Sequence, residues 1–200
     1  TIQFSDNLTV TTALTTASEA YLVSILGSAN VIAGTTTFLN TGVVTLGNAG
    51  GDSTTFTAGL VATVPSALNI AGTVAANTST STIALGDGNT NVAVTASSTV
   101  GGAATGLIDI GDAGLADGAT LTVGTGIANA INLDAVTGTG SGAVSSLTIN
   151  TTGVVNVSDA VGTDIGVVTL TQSAATTFAS TVAAASAGWG ELTPSESKMT

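Results

Sequence analysis

Small turn-forming residues interrupt this chain every few positions, so no segment between them is longer than a short strand. Within the segments apolar side chains return at every second position. The triplets include Leu8-Thr9-Val10, Val44-Thr45-Leu46, Leu68-Asn69-Ile70, Ile83-Ala84-Leu85, Val92-Ala93-Val94 and Leu107-Ile108-Asp109-Ile110. They continue through Leu121-Thr122-Val123, Ile131-Asn132-Leu133, Leu147-Thr148-Ile149, Val155-Asn156-Val157 and Val168-Thr169-Leu170. A period of two is that of a strand with one buried face. Between the triplets stand clusters such as Gly86-Asp87-Gly88-Asn89, Gly111-Asp112-Ala113-Gly114 and Gly138-Thr139-Gly140-Ser141-Gly142. Such residues make turns because Gly tolerates positive φ and Asn or Asp bonds to its own backbone. A helix is arguable only in the Ala-dense segments 12–20 and 183–187.

Short strands with one apolar face cannot each bury that face alone, and degenerate repeats point to stacked rungs. Val44-Thr45-Leu46 followed by Thr54-Thr55-Phe56 reappears as Val168-Thr169-Leu170 followed by Thr176-Thr177-Phe178. A third Thr-Thr-Phe ends at Phe38, and the 18 residues from Phe38 to Phe56 predict the length of one coil. A second recurring unit is apolar-Gly-Asn/Asp, as in Leu46-Gly47-Asn48, Leu85-Gly86-Asp87 and Ile110-Gly111-Asp112. The expected fold is all-β: a right-handed parallel β-helix, or β-solenoid, of about nine short rungs forming a rod of about 40–45 Å. Phe4, Phe38, Phe56 and Phe178 are its expected inward core residues, stacked in ladders with Val, Ile and Leu. The alternative is a β-sandwich fibre subunit whose N-terminal strand, within residues 2–10, completes a neighbour's sheet. Residues 1–190 read as the solenoid domain, with Trp189 at its close, and 191–200 as a polar tail or linker.

Composition excludes several functions. The 200 residues contain no His and no Cys. That leaves no Ser-His-Asp or Cys-His nucleophile, no disulfide framework and no zinc ribbon. One basic side chain, Lys198, faces 12 acids, for a net charge of −11. A nucleic-acid groove needs a basic surface, so nucleic acid is excluded as a partner. The densest apolar run, Tyr21-Leu22-Val23-Ser24-Ile25-Leu26, falls far short of the ~20 residues of a spanning helix. One Trp and one Tyr do not supply the aromatic girdles of a transmembrane barrel, and the expected chain does not span a membrane.

The acids are the remaining chemical groups. Asp109, Asp112 and Asp117 are the best candidates for paired carboxylates of the kind that cleave a sugar bond. Asp112 and Asp117, however, adjoin Gly in turn contexts, where Asp is favoured for structural reasons. The sequence reading therefore assigns no catalytic residue, no cofactor and no enzyme activity. Asp87, Asp112 and Asp117 are the candidate Ca²⁺ ligands, since turn carboxylates suit a hard cation and few bases compete for them. Their spacing follows neither the nonapeptide calcium roll nor an EF-hand. Gly124-Thr125-Gly126 lacks the third Gly of a dinucleotide-binding turn, and there is no Gly-Lys-Ser/Thr phosphate loop.

Several stretches carry a family resemblance: Asn7-Leu8-Thr9-Val10-Thr11-Thr12, Leu68-Asn69-Ile70-Ala71-Gly72-Thr73-Val74 and Thr177-Phe178-Ala179-Ser180-Thr181-Val182. In style the sequence resembles bacterial autotransporter passenger regions and repetitive surface-layer proteins, the rickettsial outer-membrane surface antigens most of all. That resemblance implies an extracellular, cell-surface structural protein that forms homo-oligomers or polymers as a layer, fibre or passenger stalk. An adhesin that binds a host receptor or glycan is the second expectation, although Tyr21 and Trp189 are a thin supply of aromatic platforms for a sugar. A carboxylate-based glycoside hydrolase on a β-helix is the remote third.

Overall fold

The computed structural model describes residues 1–189. The predicted tail, 191–200, lies outside the described residues, as do the side chains of Ala187 and Trp189. Among the described residues there is no helix, and the fold is a β-solenoid of about eight turns. The coils lay short strands on three faces, and the strands pair in parallel with their counterparts in adjacent coils. The sandwich alternative is thereby displaced: Ile2–Phe4 lies parallel to Val23–Ile25 of its own chain, Ile2 opposite Val23 and Phe4 opposite Ile25.

The first face stacks Ile2–Phe4, Val23–Ile25, Val44–Leu46, residues 68–70, residues 92–94, Ala113–Leu115, Val136–Gly138 and Val161–Gly162. The second face runs through Ala29–Ile32, Ser53–Phe56, Thr120–Val123, Ser145–Asn150 and Ile165–Gln172 to Ser186–Trp189. Two longer strands, Leu68–Ala75 and Val92–Val100, turn the corner from the first face to the second without a break. The third face holds Thr36–Thr37, Leu60–Ala62, Ile83–Leu85, Ile108–Ile110, Ile131–Leu133, Val154–Val157 and Ala175–Phe178. At about 4.8 Å per rung the stack is about 40 Å long.

The alternation seen in the sequence is the alternation of burial. Ile131 and Leu133 point into the solenoid while Asn132 between them points out. The same holds for Val44 and Leu46 around Thr45, and for Ile108 and Ile110 around Asp109. The inward side chains form one continuous cluster from Val23 to Leu170. Outward side chains bond along the rod, as where the Asn156 amide donates to Asn132 Oδ1 at 3.3 Å one coil away.

Three expectations about the repeat need correction. One coil is not 18 residues: register partners are 21 apart at Ile2 and Val23 and 25 apart at Val136 and Val161. Phe38 follows Thr36–Thr37 on the third face, whereas Phe56 ends a strand of the second. Both are fully buried, and their rings meet edge to face across the interior, with centroids 6.2 Å apart and planes at 83°. The two copies of the longer repeat are also out of register. Val44–Leu46 is a first-face strand, but residues 168–170 belong to the second face. The repeated unit is thus one strand-corner-strand solution used at different corners, and it is shorter than a coil. Finally, Phe4 and Phe178 are only half-buried against the core, because among the described residues they belong to the first and the last coils of their faces.

Candidate functional site

The three corners of the solenoid differ in charge, and this difference is the main chemical asymmetry of the surface. The corner leading from the first face to the second carries Asp6, Asp52, Asp117 and Asp164. The corner leading from the third face back to the first carries Glu19, Asp87, Asp112, Asp134 and Asp159, the last four in successive coils. Asp109 stands alone, outward, on the third face. The remaining corner, from second face to third, has no charged residue in any described coil, and neither do the strands of the second face.

Turn chemistry explains why the acids sit at corners. Asp87 Oδ1 accepts the backbone N–H of Asn89 at 2.8 Å and of Thr90 at 2.9 Å, closing the turn between Ile83–Leu85 and Val92–Val100. Asp112 Oδ1 accepts Ala135 N–H at 3.3 Å, and Asp134 Oδ1 accepts the Ser158 hydroxyl at 2.5 Å, each from the following coil. Asp52 is buried, and its Oδ2 accepts the N–H groups of Asn48 and Ala49 at 2.8 and 3.0 Å. The carboxylates of Asp52, Asp87 and Asp112 thus accept N–H groups at the corners, which an apolar side chain could not do.

The candidate ligand residues are not brought together. Asp87 and Asp112 occupy the same corner in adjacent coils, but Asp117 is exposed at the other acidic corner. Among the described residues no group of three or more acidic side chains is arranged to hold a metal ion. Asp109, Asp112 and Asp117 are likewise separated, on the third face and at two different corners. A shallow polar cleft of about 530 Å³ lies at the first corner, lined by Asp6, Asn7, Ser28 and Asp52 among others. Sequence reasoning missed it because its walls come from three successive coils, and their alignment depends on a coil length that the sequence misreported.

Two outward files complete the surface. On the second face Thr73, Thr99, Thr122, Thr148 and Thr169 fall opposite one another in consecutive coils. On the third, Asp109, Asn132, Asn156 and Thr177 do the same. No helix among the described residues is long and apolar enough to cross a membrane. No protein-family model, curated protein or solved structure matches the chain.

Proposed function

We propose that this chain is a non-enzymatic structural rod of a cell surface, working as a layer, fibre or passenger stalk that associates with its own copies. The observation that carries the reading is continuity: parallel strands stack on all three faces through about eight turns over one unbroken core. Such an architecture supplies stiffness and length along one axis, and its strand edges pair with more of the same. The resemblance in style to passenger and surface-layer sequences supports an extracellular location. Scarce basic residues also suit it, since trypsin-like proteases find one possible site, Lys198.

Sedimentation and light scattering of the purified chain at neutral pH, with electron microscopy of the scattering species, test the proposal. Rods longer or thicker than a single solenoid are the expected result. A chain that stays monomeric at every concentration, while binding cells or glycans, overturns self-association and puts the adhesin reading in its place.

A further inference from the structure

We propose that Asn77 is a modification site that takes an N-linked oligosaccharide on the uncharged corner of the rod. The chain carries the acceptor pattern Asn-x-Ser/Thr at Asn7, Asn77, Asn150 and Asn156. In so Thr-rich a chain the pattern does not choose among them, but their places in the coils do. Asn7 Oδ1 already accepts the Ala29 N–H at 2.9 Å and the Ser28 hydroxyl at 3.3 Å, beside Asp6 at an acidic corner. Asn150 is half-buried, its Oδ1 accepts the Gln172 amide at 3.1 Å, and Thr151 after it is fully buried. Asn156 lies within Val154–Val157, a strand paired on both sides. Its amide donates to Asn132 Oδ1, and the Ser158 hydroxyl of its pattern donates to Asp134 Oδ1.

Asn77 stands differently. Residues 76–82 carry the chain from the second face to the third, where the coil before uses only 57–59. The longer corner stands out from the stack: Asn77–Thr78 belongs to a sheet of two strands, with Ala104–Thr105 of the next coil, and residues 77–80 are all exposed. Among the described residues the Asn77 side-chain amide makes no hydrogen bond, and Ser79 of its pattern sits in the turn just beyond. In the transfer, Asn77 Nδ2 bonds to the anomeric carbon of a lipid-diphosphate-linked oligosaccharide as the bond from that carbon to the diphosphate breaks. The diphosphate leaves with its lipid, and the amide proton passes to the transferase. Such a donor is an anion, and this corner sets no carboxylate against it in any described coil.

A meeting of chain and transferase rests on the cell-surface reading, whereas the test does not depend on it. The purified folded chain is incubated with an oligosaccharyltransferase and its lipid-linked oligosaccharide, then cut with a protease that cleaves before Asp. The 52–86 peptide holds Asn77 and no other acceptor pattern. Mass spectrometry is expected to find one oligosaccharide on that peptide, at several-fold higher occupancy than at Asn7, Asn150 or Asn156. Asn77→Gln, at an exposed position, is expected to remove the gain in mass, and Ser79→Thr, which keeps the pattern, to retain it. A folded chain unmodified at Asn77, equal occupancy at all four positions, or an Asn77→Gln variant that gains as much sugar would overturn the site and leave the surface reading standing. A chain that accepts the sugar at Asn77 but never self-associates would uphold the site and remove self-association.

Discussion

At the scale of single residues, position within the coil stack decides what a side chain is worth. Phe56 is fully enclosed, stacked on Ile32 of the coil before it and met by the edge of Phe38. Replacing it with Ala should cost about 3–5 kcal/mol in chemical unfolding, the usual penalty for emptying a packed aromatic site. Phe4→Ala, at a half-buried site, should cost clearly less in the same measurement. Gly86 answers to a different constraint. Its φ is +68°, and a Cβ there would come within 2.4 Å of the Thr90 carbonyl oxygen. Gly86→Ala should therefore destabilise by more than about 1 kcal/mol, through backbone strain and without loss of buried area. An equal or higher unfolding midpoint for that variant would refute the constraint. The inward and outward role of residues such as Val44, Thr45 and Leu46 was legible in the sequence, because alternation is local. The pairing of Phe38 with Phe56 was not, since it is set by a corner that turns the chain from one face to the next.

At the scale of the strand, the prediction is a contrast between neighbours. Ile131→Ala should cost about 2–5 kcal/mol as a buried aliphatic truncation. Asn132→Ala, one residue on and facing out, should stay within about 0.5 kcal/mol. Thermal unfolding of the two variants beside the parent checks this, and comparable losses would mean that the strand is not one-sided. Strand existence and type could be read from the chain, but coil length could not. Corners absorb different numbers of residues: Ile110 and Ala113 bracket one corner with two residues, while Leu85 and Val92 bracket the same corner one coil earlier with six. Leu46-Gly47-Asn48 shows the result. It has the same local chemistry as Leu85-Gly86-Asp87 but stands at another corner, so motif spacing does not measure the coil. For the same reason the two acidic corners were invisible until the coils were aligned.

For the molecule as a whole, charge placement predicts a graded response to solution conditions. At neutral pH the carboxylates of the two acidic corners should hold rods apart laterally. Lowering the pH toward the sequence pI of about 4.1 removes that charge and should drive the rods into lateral bundles. Calcium chloride at pH 7 should act in the same direction by bridging corner carboxylates such as Asp112 and Asp134 between neighbouring rods. Sodium chloride at matched ionic strength screens without bridging and should do less. Light scattering across the three series separates these effects, and identical curves for the two salts would remove bridging from the account.

The strand pairings described above have one further effect, on how such a molecule forms. Nearly every pairing joins residues a single coil apart, 21 at Ile2 and Val23 and 25 at Val136 and Val161. The loop that must close to add a strand is therefore about the same length at the first coil and at the last, and its entropic cost stays constant as the rod lengthens. A growing end is a template for the next coil, so the chain can fold in the order in which it emerges from a pore or a ribosome. Duplicating one coil would lengthen the rod without slowing the step that adds the next.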